Sequence, residues 1–326
     1  MTAFKFAHHI GAAIALSFIS LSALASVGLS SIPATAREGS ITLYCPSSTP
    51  AQSVKRGSFT LLVAEQGAPT PGNGRLVVIS HGSGGSPWMH ADLATRLVDA
   101  GFVVAMQQHR GDHHLDNGHL GPESWARRPA EVSRAIDAVG RDARFASTLK
   151  LDKVGMYGMS AGGLTALVLA GGRWSPAGFK QHCEAHMAED FQTCVGFITR
   201  LTGGMCDGLK KTVALAVLRH QFDDATPQMH TDPRIAAVVS GVHVAAVFDM
   251  ASLAHPCVPV ALITAARDRW LIPKFHSDRG LPACLTCQHL ADLKTAGPGA
   301  LLVPLPPGFT GLIGELLNDP PGFDRA

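Results

Sequence analysis

The sequence predicts an α/β protein: a mostly parallel central sheet with helices on both faces. Three observations carry this. Short β-branched runs alternate with stretches whose apolar residues recur at helical spacing. The strand-like runs are apolar from end to end, as strands buried on both faces are. The 34 glycines and 21 prolines among 326 residues place many tight turns between short elements, which excludes coiled coils and helical bundles. At 46% apolar, 16% charged and a formal net charge of +2, the chain is too hydrophobic for disorder, and its charge gives no reason to expect nucleic acid.

In chain order, residues 1–36 read as a signal peptide. Lys5, His8 and His9 precede an apolar stretch from Ile10 to Leu24, and Ala23-Leu24-Ala25 or Ala34-Thr35-Ala36 supplies the small-residue cleavage pattern. Serines 17, 20, 22 and 26 weaken the competing reading as an uncleaved anchor. The expectation is a secreted or periplasmic domain over 37–326, with no stable membrane insertion after cleavage.

Residues 41–44 and 58–64 read as antiparallel leading strands, and 75–80 (RLVVIS), 102–107 (FVVAMQ) and 153–157 (KVGMY) as buried ones. Between them, 89–100 and 129–140 carry helical apolar spacing through Leu93, Leu97 and Val98, and through Val132, Ile136 and Val139. Residues 234–240, 258–264 and 288–293 are the remaining strand candidates. The stretch 171–232 breaks the alternation with helical fragments, so it reads as a lid-like insertion that shapes a pocket.

All seven cysteines follow the signal segment, and in an exported protein disulfides are permitted. Cys183 and Cys194 flank one short helical stretch and are the preferred pair. Cys284-x-x-Cys287 fits a local disulfide better than a redox motif or half of a zinc site, because no second C-x-x-C completes a Cys₄ set.

Gly158-Met159-Ser160-Ala161-Gly162 fits G-x-S-x-G, in which a sharp strand-to-helix turn projects a serine above the sheet. A strand (153–157) leads in and a helical stretch (161–170) leads out, so Ser160 is the candidate nucleophile. His81-Gly82-Ser83-Gly84-Gly85 follows another strand and can aim a main-chain N–H at a developing oxyanion. Ser83 and Ala161 are the oxyanion-hole candidates, and His81 reads as a residue that stabilises the turn. A dinucleotide loop is excluded because Pro87 stands where the third glycine belongs. Asp268, past a late strand, is placed to orient a base. The loop that should carry that base reads Thr295-Ala296-Gly297-Pro298-Gly299 and has no imidazole.

LVVISHGSGGS, QQHRGDHHLDNG, the Gly-Met-Ser-Ala-Gly-Gly elbow, AGGRWSPAG, ARDRWLIPKFHSD and LLNDPPGFDRA together resemble the exported, dienelactone hydrolase-like branch of the α/β-hydrolases and its platelet-activating-factor acetylhydrolase relatives. The resemblance spans about residues 40 to 326. It implies an α/β-hydrolase fold and a serine hydrolase acting on small-molecule carboxylic esters or lactones, with no metal or other cofactor. Carried over by position, Ser160 is the nucleophile, Asp268 the acid and the turn at Ser83 the oxyanion loop. Pro298 stands where the family places its histidine, a vacant base position that implies impaired activity.

Three alternatives stay open. His243, after the strand at 234–240, would serve as a substitute base. His109, His113, His114, Asp116 and His119, crowded on one loop, would bind zinc. A non-catalytic protein of the same fold would bind an ester, a lipid or a protein partner. The oligomeric state is not legible.

Overall fold

A computed structural model describes residues 26–325. The apolar stretch read as a secretory signal lies outside the described residues as far as residue 25. Within the rest of that expected segment, Ser26–Ile32 is a strand of the sheet, β1, paired antiparallel with β2 (Ile41–Ser47) and parallel with β4 (Phe59–Glu65). Val27 and Leu29 are buried there. Small and apolar residues that suit a signal segment suit a buried strand equally well, so composition could not separate the two.

β3 (Gln52–Arg56) pairs with β4 at the sheet's edge. The chain then continues through β5 (Leu76–Ser80), α1 (Ala91–Asp99), β6 (Val103–Gln107), α2 (Pro122–Arg141), β7 (Val154–Met159) and α3 (Ala161–Leu169). Three helices follow: α4 (Pro176–His186), α5 (Phe191–Val195) and α6 (Asp207–Gln221). The closing elements are β8 (Ile235–Gly241), β9 (Val260–Ala265), α7 (Ser277–Ala283), β10 (Gln288–Leu293) and α8 (Gly311–Leu317).

Among the described residues one ten-stranded sheet runs in the order β10-β9-β8-β7-β5-β6-β2-β1-β4-β3. From β6 to β10 every pairing is parallel, while β2 meets β6 antiparallel. The two leading strands expected to pair with each other, β2 and β4, are instead separated by β1.

Alternate residues of each central strand point to opposite faces, and both faces are covered. On one, Leu76 and Val78 pack with Val132, Ile136 and Val139 of α2 and with Leu164 and Leu167 of α3. On the other, Val77 and Ile79 pack with Ala94 and Val98 of α1 and with Leu302 and Val303. After β5 the chain places β6 on one side and then returns to place β7 on the other. A crevice opens where the strand order reverses, beyond the carboxyl ends of β5 and β7.

Residues 171–232 hold α4, α5 and α6 and no strand of the sheet. Ser175 caps α4, its Oγ accepting the Gly178 N–H at 3.1 Å, and Pro176 starts the helix without losing a bond. Trp125 of α2 anchors the insertion edge-on against Trp174 and Phe179, with ring centroids 5.8 and 5.2 Å apart. A disulfide between Cys183 and Cys194 ties α4 to α5, and a second joins Cys284 to Cys287. No helix among the described residues is long and apolar enough to cross a membrane.

Cys45, Cys206 and Cys257 are free, and burial pushes the Cys45 thiol up to about 11. Alkylation of the native, unreduced protein should therefore label Cys206 and Cys257 readily and Cys45 only after unfolding. Peptide mass mapping should recover 183–194 and 284–287 as intact pairs.

Candidate active site

The site is set by a backbone reversal. β7 ends at Met159, α3 begins at Ala161, and Ser160 between them takes φ 57° and ψ −118°, a conformation that costs a residue with a side chain on the order of 1–3 kcal/mol. A side chain on Gly158 would be driven into the Gly162 carbonyl, and one on Gly162 into the Ser80 carbonyl. Both glycines are thus required by close approach. The Ser160 N–H donates to the Gly241 carbonyl and its own carbonyl accepts the Leu164 N–H, each at 3.0 Å, which locks the turn between β8 and α3.

Across the crevice the turn after β5 brings Gly82 against Ser160. Neither the Ser83 nor the Ala161 N–H donates to a turn or loop carbonyl, and both residues line the cavity that Ser160 faces. A buried ion pair holds this turn from behind. Arg128 Nη2 donates to Asp112 Oδ2 at 2.7 Å, Arg128 Nη1 to the His81 carbonyl at 2.5 Å, and Arg128 Nε to Ser124 Oγ at 3.0 Å. Asp112 Oδ1 in turn accepts the Gly84 N–H at 2.8 Å. Burial alone would raise the Asp112 pKa, but Arg128, Ser124 and the Gly84 N–H outweigh it and hold the carboxyl below its ordinary range. No spacing rule in the sequence marks Asp112 and Arg128 as partners.

His81 donates from Nδ1 to the Gly82 carbonyl at 2.7 Å, and burial, with His109 and Arg128 nearby, keeps the ring neutral. It braces the turn. Behind it His109 bridges Ser80 Oγ (2.7 Å) and Glu131 Oε2 (2.6 Å), the spacing of a catalytic triad. All three residues are buried and none lines the cavity, so this chain of bonds cross-links β5, β6 and α2 away from any substrate.

Asp268 lies three residues beyond the end of β9, 5% exposed. Its Oδ1 accepts the Trp270 and Leu271 N–H groups at 2.8 and 2.9 Å, while Oδ2 is buried with no hydrogen-bond partner. Burial raises its pKa to about 7; the two N–H bonds oppose this and the charge of Asp190 adds to it. Pro298 opens a 3₁₀ turn after β10 and lines the same cavity as Ser160 and Asp268. Ser160 Oγ makes no hydrogen bond to another described side chain. The five residues expected at the site, Ser83, Ser160, Ala161, Asp268 and Pro298, all line one cavity of about 1090 Å³.

The other histidines are engaged elsewhere. His243 is fully buried, its pKa pushed down to about 4 by burial, and its ring abuts Gly280 in a separate small cavity. It does not line the Ser160 cavity, which removes it as a substitute base. His289 Nε2 meets Thr264 Oγ1 at 3.0 Å on the outer strands. The proposed zinc loop does not converge. His109 turns inward to Glu131, His113 Nδ1 pairs with Gln108 Nε2 at 2.9 Å, and His119 with Glu123 at 2.9 Å.

A different cluster, His182, Asp190 and His276, does converge. His182 and His276 donate from Nε2 to Asp190 Oδ2 at 2.7 and 3.1 Å, and hold Asp190 down to about 2 against the opposing effect of burial. His276 Nδ1 accepts the Ala245 N–H at 3.1 Å, which leaves its proton on Nε2, where a metal would need a lone pair. The cluster is therefore a brace. Through Thr193, which donates to Asp190 or to the Trp270 carbonyl, it supports the turn that holds Asp268.

No protein-family model matches the chain, and no curated protein matches it. Fold and site define a mixed α/β protein with a strained serine at the reversal point of its sheet.

Two outcomes are expected. Because the folded-state pKa of Asp268 is raised, the folded protein keeps a proton that the unfolded chain releases above about pH 4, so stability falls as pH rises from about 4 to about 7. Asp268→Asn should abolish that slope, worth a few kcal/mol in unfolding free energy between pH 4 and 7.5 by denaturant titration. Asp112→Ala, which strands the buried Arg128 charge, should cost about 3–5 kcal/mol at pH 7 in the same measurement.

Proposed function

We propose that this chain is an exported α/β-hydrolase, similar to the dienelactone hydrolase-like branch, with acyl-transfer geometry for carboxylic esters or lactones and no base of its own. The observation that carries the proposal is the convergence of Ser160, the Ser83 and Ala161 N–H groups and Asp268 on one cavity at the sheet's reversal point. The disulfides and the N-terminal apolar segment support export.

In this reading Ser160 Oγ attacks the ester carbonyl, and the carbonyl oxygen, as it gains negative charge, is stabilised by the two N–H groups. A base must take the serine proton and return it to the leaving alkoxide. Asp268 is positioned to orient such a base through Oδ2, the oxygen that lacks a partner. Pro298 has no proton acceptor in its side chain. Loss of the histidine from a serine triad costs on the order of 10⁶ in kcat, about 8 kcal/mol, and leaves about 10³–10⁴ over water from binding and the oxyanion hole.

A second reading, a binding protein on a hydrolase scaffold, is favoured by that same unpartnered carboxylate. One comparison separates the two. Hydrolysis of a short activated ester is measured for the unmodified chain, for Pro298→His, and for Pro298→His combined with Ser160→Ala. The hydrolase reading expects Pro298→His to raise kcat by about 10³-fold or more and Ser160→Ala to remove the gain. An unchanged rate in Pro298→His leaves the binding reading.

A further inference from the structure

The cavity itself carries information on what occupies it. At about 1090 Å³ it lies just above the usual range for small-molecule sites, about 300–1,000 Å³, and it is far larger than a compact lactone needs. Its exposed rim is apolar. Of the eleven large apolar side chains left exposed among the described residues, six line this one cavity: Leu115, Ile198, Leu209, Val213, Val217 and Ile313. Such concentration marks a binding groove, because scattered single residues are the ordinary pattern. Four half-buried aromatic side chains, Trp88, Phe197, Trp270 and Phe309, line the same cavity as Ser160.

Charge narrows the class. Two cations line the cavity, and both are engaged: Arg56 with Glu65, and Lys210 with Asp207 at 2.9 Å and with the Arg200 carbonyl at 2.7 Å. The single lining carboxyl group, Asp268, offers no positive charge to an anion. No unpaired cation is left among the described lining residues to recognise a phosphate or carboxylate head.

We propose that the cavity takes a neutral ester with one long apolar arm, the arm lying along α6 and the ester at Ser160. That the occupant is an ester rests on the hydrolase reading; that it is neutral, long and apolar rests on the cavity alone. Phospholipids and carboxylated lactones are disfavoured by the same charge argument. Each buried methylene is worth about fourfold in affinity, so six added methylenes are worth on the order of 10³-fold.

The test is binding, read by quenching of tryptophan fluorescence in the unmodified chain and in Ser160→Ala, with every probe kept at monomeric concentration. Methyl decanoate should bind on the order of 10³-fold more tightly than methyl butyrate in both proteins. Decanoate and a decanoyl lysophosphatidylcholine should bind no more tightly than the methyl ester. Val213→Asp combined with Val217→Asp should weaken methyl decanoate at least tenfold with the Tm within about 2 °C of the parent. A chain-length effect below tenfold, tighter binding of either charged probe, or unchanged affinity in the double variant overturns the proposal. If the double variant does not fold, the chain-length and head-group comparisons decide alone. Tight binding of methyl decanoate without turnover in Pro298→His would sink the hydrolase reading and leave the cavity's selectivity standing.

Discussion

Ser160 is held at a positive φ by the close packing of three main-chain segments, and most of what surrounds it follows from that contact. Glycine at 158 and 162 lets β7, α3 and the end of β5 approach closely. The approach fixes how α3 packs on the sheet, where its apolar side chains join the core with α2. It also places the Ala161 N–H beside Ser160 and brings the turn after β5 to the other side. The strain at one residue is offset by a main-chain hydrogen bond on each side of it and by the buried helix that follows.

Behind the cavity wall, several buried polar groups are satisfied in pairs that cross between elements. Asp112 with Arg128 holds the turn after β5, Ser80, His109 and Glu131 cross-link β5 to α2, and Asp190 with two histidines supports the turn of Asp268. In a dry interior such groups are costly unless paired, which makes an unpartnered carboxylate oxygen on the cavity wall informative. Asp268 Oδ2 is such an oxygen. Burial raises the Asp268 pKa, and Pro298, on the same cavity, has no side-chain donor to offer it.

The insertion supplies the other half of the site. The disulfide between α4 and α5 and the aromatic contacts from Trp125 make its inner part rigid, while α6 leaves an apolar face in solvent along the cavity. Rigid floor and apolar rim do different jobs. The floor holds the residues around Ser160 in place, and the rim leaves apolar surface in solvent.

Much of the fold was legible because it is written in local pattern. Continuous apolar runs located the central strands, 3.6-residue spacing located α1 and α2, and the glycines of the elbow located the turn at Ser160. β1 was missed because buried strand and signal segment share a composition, and β3 because its exposed edge is polar, Gln52 to Arg56. Asp268 and Pro298 could be placed at a site from chain order and resemblance, yet their burial and lack of partners could not. The sequence by itself determined which segments are strands and helices and where the backbone must turn sharply, since those depend on neighbours a few residues apart. Only the tertiary structure decided that Arg128 grips Asp112, that His243 faces away from Ser160, and that the insertion leaves a large apolar cavity. Desolvation and long-range pairing belong to the packed interior, and no spacing along the chain encodes them.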